Sequence, residues 1–217
     1  MAIVLRAVFT GLPRDIDDGR GAPWRSGFFK TPQVGDVHLG TGGLEGDGQA
    51  DRSVHGGPEK AALGYCTTHY HAWRTELGRD DLVAGAFGEN LLFDGLDEES
   101  AMVGDRYRVG DAIIAVSQPR QPCWKLARRC GLPTMPALAI ANGRLGWYFR
   151  VTAPGAIRAG ATVELVDRPN PGWSIARINR IFFAAADEAR QRLPEILQLP
   201  GLSSEFAAIC TKRFPPG

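Results

Sequence analysis

Two Gly-Asp pairs, at residues 104–105 and 110–111, constrain the fold most. Val103-Gly104-Asp105 and Val109-Gly110-Asp111 bracket Arg106-Tyr107-Arg108. That leaves room only for short strands joined by tight turns, the pattern of a β-meander or barrel. From Asp111 the chain continues as Ala112-Ile113-Ile114-Ala115-Val116, an apolar, β-branched run that reads as a buried strand. The 27 Gly and 15 Pro among 217 residues call for many further turns and favour a mostly β architecture.

The segment that ends this strand carries the most chemistry: Ser117-Gln118-Pro119-Arg120-Gln121-Pro122-Cys123-Trp124-Lys125-Leu126. Pro122 suits a first helical position, and Gly131 with Pro133 supplies a stop, so Pro122 to Arg129 reads as a short helix. Cys123 then falls in the first turn, where unpaired N–H groups and the helix dipole favour an anion. Arg120 and Lys125 add positive charge nearby. A sulfur in such a place is a nucleophile or a soft-metal ligand. The competing reading is a buried small hydrophobe, and the segment by itself leaves both open.

A formal net charge of +1 predicts neither nucleic acid nor acidic partners. No apolar run approaches the length of a membrane span, and Met1 to Arg6 is too short and strand-like for a signal peptide. Cysteines at 66, 123, 130 and 210 show no C-x-x-C pairing. They read as free thiols in a reducing compartment, so a cytoplasmic location is expected.

Alternation around Ile3, Leu5, Ala7 and Phe9 predicts a strand over Ile3 to Thr10. Gly11 to Ser26 reads as a long loop and Gln33 to Leu39 as a short strand. Thr68 to Leu77 reads as a helix capped by Thr68 and stopped by Gly78, and Pro136 to Ala141 as another helix. Strands are expected at Gly146 to Thr152 and Thr162 to Val166, around a Pro154-Gly155 turn. Residues 167–172 have the composition of a linker. Beyond it three helices are predicted, Ser174 to Ala185, Asp187 to Gln198 and Ser203 to Arg213, with Ser174 and Ser203 as caps. The chain thus divides into a mostly β domain, 1–167, and a three-helix domain, 168–217. The latter holds seven cationic side chains against four carboxylates, an excess that fits a partner or dimer surface better than a nucleic-acid polymer.

Candidate binding residues lie on the glycine-rich loops. Lys30-Thr31 follows two aromatics and precedes Pro32; it is either a surface pair or a phosphate or carboxylate contact. The run Gly40 to Gly48 has Glu45 where G-x-G-x-x-G needs its third glycine and lacks the G-K-[ST] of a P-loop. It is a tight loop able to approach a ligand, or simply a turn. Arg52, His55 and Lys60 surround the Gly56-Gly57-Pro58 turn, as in a binding loop or a solvated one. Glu89 and Asn90 are pocket hydrogen-bonders or turn formers. The four histidines lack zinc-ligand spacing.

Taken in order, GLEGDGQADRSVHGGPEKA, FGENL, GDRYRVGDAIIAVSQPRQPCWKL and GWYFRV resemble the MOSC domain family, named for the C-terminal region of molybdenum-cofactor sulfurases. The resemblance is to its bacterial YiiM-type branch, which adds a C-terminal three-helix segment. It implies an α+β, mostly β, MOSC-type β-barrel that binds molybdenum cofactor (molybdopterin), not pyridoxal phosphate. It further implies an oxidoreductase that reduces N-hydroxylated purines and related compounds, detoxifying base analogues. Matched residue by residue, Cys123 falls on the molybdenum ligand and Lys30 and Thr31 on the family's pocket pair. Arg52, His55 and Lys60 lie on its loop motif, Asn90 on its FGEN turn, and Gln118 and Arg120 beside the cysteine. A soft thiolate suits molybdenum, and the pterin phosphate needs such donors. His55 or Lys30 is the expected proton donor. No flavin, haem or Fe–S motif is present, so electrons are expected from a separate flavoprotein. A sulfur or cofactor carrier, with Cys123 as persulfide or metal ligand, is the alternative.

Overall fold

A computed structural model of the chain describes residues 2–215. Seven strands close into a barrel: β1 (Ile3–Thr10), β7 (Ala62–Cys66), β8 (Leu91–Asp94), β9 (Arg106–Val109), β10 (Ala112–Pro119), β11 (Trp147–Ala153) and β13 (Thr162–Asp167). Their order is β13-β9-β10-β11-β7-β8-β1, and pairing of Ile3 with Val163 closes the ring, which leaves no barrel strand with an unpaired edge. Only β7 and β8 run parallel. Parallel neighbours need a crossover, and helix α1 (Thr67–Leu77) provides it. The predicted stop holds: Gly78 takes φ 61° and its N–H donates to Arg74 O. The cap does not: Cys66 occupies it without a capping bond from its side chain, and Thr68 lies inside the helix.

The Gly-Asp pairs turn the chain into and out of β9 as expected. Gly104 and Gly110 have φ of 83° and 56°, a region costly for residues with a Cβ. The predicted buried strand is β10, and both its faces are covered. One lines the barrel; helix α4 (Ile175–Phe182) packs against the strand.

Several boundaries differ from expectation. The long loop Gly11 to Ser26 contains a hairpin, β2 (Arg14–Ile16) with β3 (Trp24–Ser26). The strand expected from Gln33 is confined to β5 (Val37–Gly40), preceded by the edge pair β4 (Thr31–Pro32). Strand β6 (Gly43–Leu44) and β12 (Gly155–Ile157) flank β5, so Gly155 opens a strand instead of completing a turn.

The predicted C-terminal helices are α4, α5 (Ala186–Leu197) and α6 (Ser204–Arg213). Ser174 and Ser203 cap α4 and α6, accepting from the N–H groups of Arg177 and Phe206. They do not form a separate core. Ile178, Phe182, Ile196 and Phe206 belong to the same apolar cluster as Leu5, Val109, Ile114 and Phe149 of the barrel. The change at residue 168 is one of secondary structure, not a boundary between cores.

Candidate functional site

The segment after β10 becomes a cleft wall. Pairing continues past the strand end, with Arg120 N–H donating to Gly146 O at 3.2 Å. Pro122 has no N–H to extend it. Helix α2 (Trp124–Cys130) begins two residues later than predicted, with Cys123 as its extended N-cap residue (φ −111°) and not within its first turn. The β2–β3 hairpin fixes α2 from outside. Lys125 Nζ donates to Arg25 O at 3.0 Å, Arg128 pairs with Asp18, and the Trp24 and Trp124 rings lie 5.4 Å apart. The Arg128 guanidinium holds the Asp18 carboxyl down at about 2.

Cys123 is half-buried and lines two adjoining lobes of one cleft. The first, about 650 Å³, is lined by Lys30, Asp47, His55, Lys60, Asn90, Arg120, Gln121 and Tyr148, among others. The second, about 1010 Å³, shares His55, Lys60, Gln121 and Tyr148 and adds Gln118, Trp124 and Glu205. Of the nine predicted site residues, seven therefore meet at the cleft: Lys30, His55, Lys60, Asn90, Gln118, Arg120 and Cys123. Thr31 and Arg52 do not line it. Thr31 is exposed on the edge strand β4, its hydroxyl turned to Thr10 O, because an extended chain points consecutive side chains to opposite sides. Arg52 is exposed on the 51–55 loop.

The seven do different jobs. Arg120 is 3% exposed and forms no ion pair among the described residues. Its side chain makes one long hydrogen bond among the described residues, to Leu145 O, and the Phe28 ring lies 5.3 Å from its guanidinium carbon. The buried Glu89 carboxyl interacts with it only at longer range; a buried cation with no carboxylate at bonding distance is costly, and a cleft that admits an anion relieves that cost. Beside it, Gln121 Nε2 is buried and makes no hydrogen bond among the described residues.

Lys30 is instead paired with Asp47 inside the first lobe, and burial pulls its ammonium down, partly offset by Asp47. Lys60 is committed as well: it donates to Val54 O at 2.6 Å and pairs with Glu205 of α6 at 2.5 Å. Burial, then the nearby Lys60, Lys125 and Arg120, lowers the His55 pKa, so at neutral pH its imidazole is neutral. Gln118 accepts from Ser203 at the start of α6.

Asn90 is a brace. Its amide donates to Phe9 O at 3.1 Å and to Asp47 at 3.0 Å, and its carbonyl accepts from Leu63 N–H at 3.1 Å. It ties β1, β7 and the glycine-rich loop together. Another segment approaches that loop backbone to backbone: a Cβ on Gly27 would lie 2.3 Å from Gly48 O. Asn90→Leu is expected to strand these buried groups and to lower stability by about 3 kcal/mol, read as a lower urea midpoint at unchanged slope.

Tyr148, Gln121, Asp47 and Glu205 were not singled out in the sequence. Tyr148 lies within the GWYFRV motif. Burial pushes its phenol pKa up, so it keeps its proton, and it faces both lobes. Only folding brings Glu205 to the site, from a helix 82 positions beyond Cys123.

The description "MOSC domain" matches residues 51–164 of the chain. Protein YiiM of Escherichia coli (strain K12) is 41% identical over 74% of this chain and 71% of that protein. The chain belongs to the MOSC domain family. The crystal structure of YiiM from Geobacillus stearothermophilus, 34% identical, superposes with a TM-score of 0.81 over 98% of this chain and 99% of that one. A Gibberella moniliformis (strain M3125 / FGSC 7600) protein named "Reductase" is 38% identical over 89% of this chain, which spans 34% of its length. The MOSC family is associated with molybdenum cofactor, and the donor set of this cleft fits that group. An unpaired Arg120 and a free Gln121 amide suit an anionic pterin tail, and Cys123 offers a soft ligand. No helix of the described residues is long and apolar enough to cross a membrane.

Proposed function

We propose that this MOSC protein binds molybdenum cofactor in the first lobe and reduces N-hydroxylated compounds, N-hydroxylated purines among them. One observation carries the reading: a buried, unpaired guanidinium and a half-buried cysteine face the same cleft. Arg120 and the Gln121 amide would hold the anionic tail, and Cys123 would ligate the metal. When bound, the cofactor supplies the two-electron redox chemistry.

The chain's own contribution is binding, orientation and proton supply. Reduction of an N–OH group to N–H consumes two electrons and two protons and releases water. The Tyr148 hydroxyl, protonated at neutral pH, faces both lobes and can donate to the departing oxygen. The neutral His55 can relay a proton but does not store one. Lys30, held by Asp47, orders the loop beneath. In this reading the electrons come from a separate flavoprotein.

The test is protein from a cofactor-producing host, assayed for molybdenum, released pterin, and turnover of an N-hydroxylated purine with a reduced donor. Loading with turnover supports the reductase; loading without turnover supports a carrier that uses Cys123. Arg120→Leu is expected to weaken pterin retention by about ten- to a hundred-fold, the worth of a charge-assisted hydrogen bond. Arg52→Ala, outside the cleft, is expected to retain wild-type pterin.

A further inference from the structure

The two lobes that meet at Cys123 differ in charge. The first places Lys30, Lys60, Arg120 and Lys125 against one carboxylate, Asp47. The second sets Lys60 and Lys125 against two, Asp51 and Glu205. Both of its lysines are already engaged, Lys60 with Glu205 and Val54 O, Lys125 with Arg25 O. Its remaining walls include Val54, Ile209 and Trp124, the last 55% exposed. Such a lobe is balanced, two lysines against two carboxylates, and attracts an anion less than the first does. It offers a flat ring an indole face, and it offers N–H donors the second oxygen of Glu205, which makes no hydrogen bond among the described residues.

We propose that the second lobe is the substrate subsite and that helix α6, through Glu205 and Ile209, selects neutral or cationic planar nitrogen compounds over anionic ones. This rests on the reductase reading and adds a commitment: free N-hydroxylated bases and amidines are taken, and their phosphorylated or carboxylated counterparts are refused. The indole of Trp124 stacks on the ring, and Glu205 accepts from ring or exocyclic N–H. Ile209 sets the depth. The C-terminal segment is then part of the specificity apparatus.

The isosteric series benzamidine, benzamide and benzoate tests this on the full-length protein, since it varies charge at constant size. Binding is read by quenching of tryptophan fluorescence, and the part abolished by Ile209→Trp reports the second lobe. Benzamidine and benzamide are expected to bind there, and benzoate at least about ten-fold more weakly. Glu205→Gln should collapse that ratio toward one, and Glu205→Asp should restore it in part. Benzoate binding as tightly as benzamidine, or a ratio unmoved by Glu205→Gln, overturns the proposal. The binding measurements need no turnover. A protein that discriminates the series but never reduces an N–OH compound refutes the reductase reading alone. Turnover without discrimination refutes the subsite alone.

Discussion

Cys123→Ser is expected to fold normally and to lose turnover. The side chain is half-buried at a helix N-cap, and serine is a favoured N-cap residue, so stability should change by less than about 0.5 kcal/mol. A hydroxyl stays protonated near neutrality and is a poor ligand for a soft metal. Turnover per bound pterin should therefore fall by at least about a thousand-fold, ~4 kcal/mol of transition-state stabilisation. Pterin content should fall less, because Arg120 and Gln121 remain. Cys130→Ala is the control. Cys130 is buried in an apolar cluster with Trp73, Phe87 and Leu126, and burial pushes its thiol up to about 11. Cys210 is likewise pushed up to about 12. An alkylating agent at pH 8 should thus label Cys123 and leave Cys130 and Cys210 unmodified in the folded protein, as mass spectrometry would show. Full turnover per molybdenum in Cys123→Ser would falsify the ligand assignment.

Truncation after Asp167 is expected to abolish the folded barrel. The lost segment covers β10 and supplies Ile175, Ile178, Phe182, Leu193, Ile196, Phe206 and Phe214 to the shared core. At roughly 1.5–3 kcal/mol for each large apolar side chain buried, their removal exceeds the whole stability of a typical domain. It also strands Asp105, 0% exposed, which Arg168 grips at 2.9 and 2.6 Å. Breaking a buried pair by removing one partner costs about 3–5 kcal/mol. The truncated chain should show no cooperative thermal transition and should expose surface to a hydrophobic dye. A sharp transition near that of the full chain would show that the barrel is self-sufficient, as a division into two domains at residue 168 implies.

The sequence by itself determined what depends on neighbours along the chain. Backbone sterics place Gly at the turns around β9, local alternation marks β1, and Ser174 and Ser203 bond their own helices three residues on. Motif order placed the chain in the MOSC family and brought Cys123, Arg120, His55 and Lys60 to attention. What the tertiary structure decided depends on meetings between distant segments. Lys30 reads as a phosphate ligand until Asp47 is found against it, and Lys60 until Glu205, 145 positions later, occupies its ammonium. Arg120 carries the same charge as either, yet folding leaves it buried without a carboxylate partner. Thr31 and Arg52 lie beside cleft residues in sequence but outside the cleft: successive side chains diverge where the chain is extended at Thr31, and Arg52 sits on an exposed turn. The helices' place in the barrel core could not be read from their own pattern, because an amphipathic helix shows that it buries a face and not against what. Charge type and periodicity are local properties; the counter-charge that neutralises a cation, and the surface that covers a helix, are set by the three-dimensional packing.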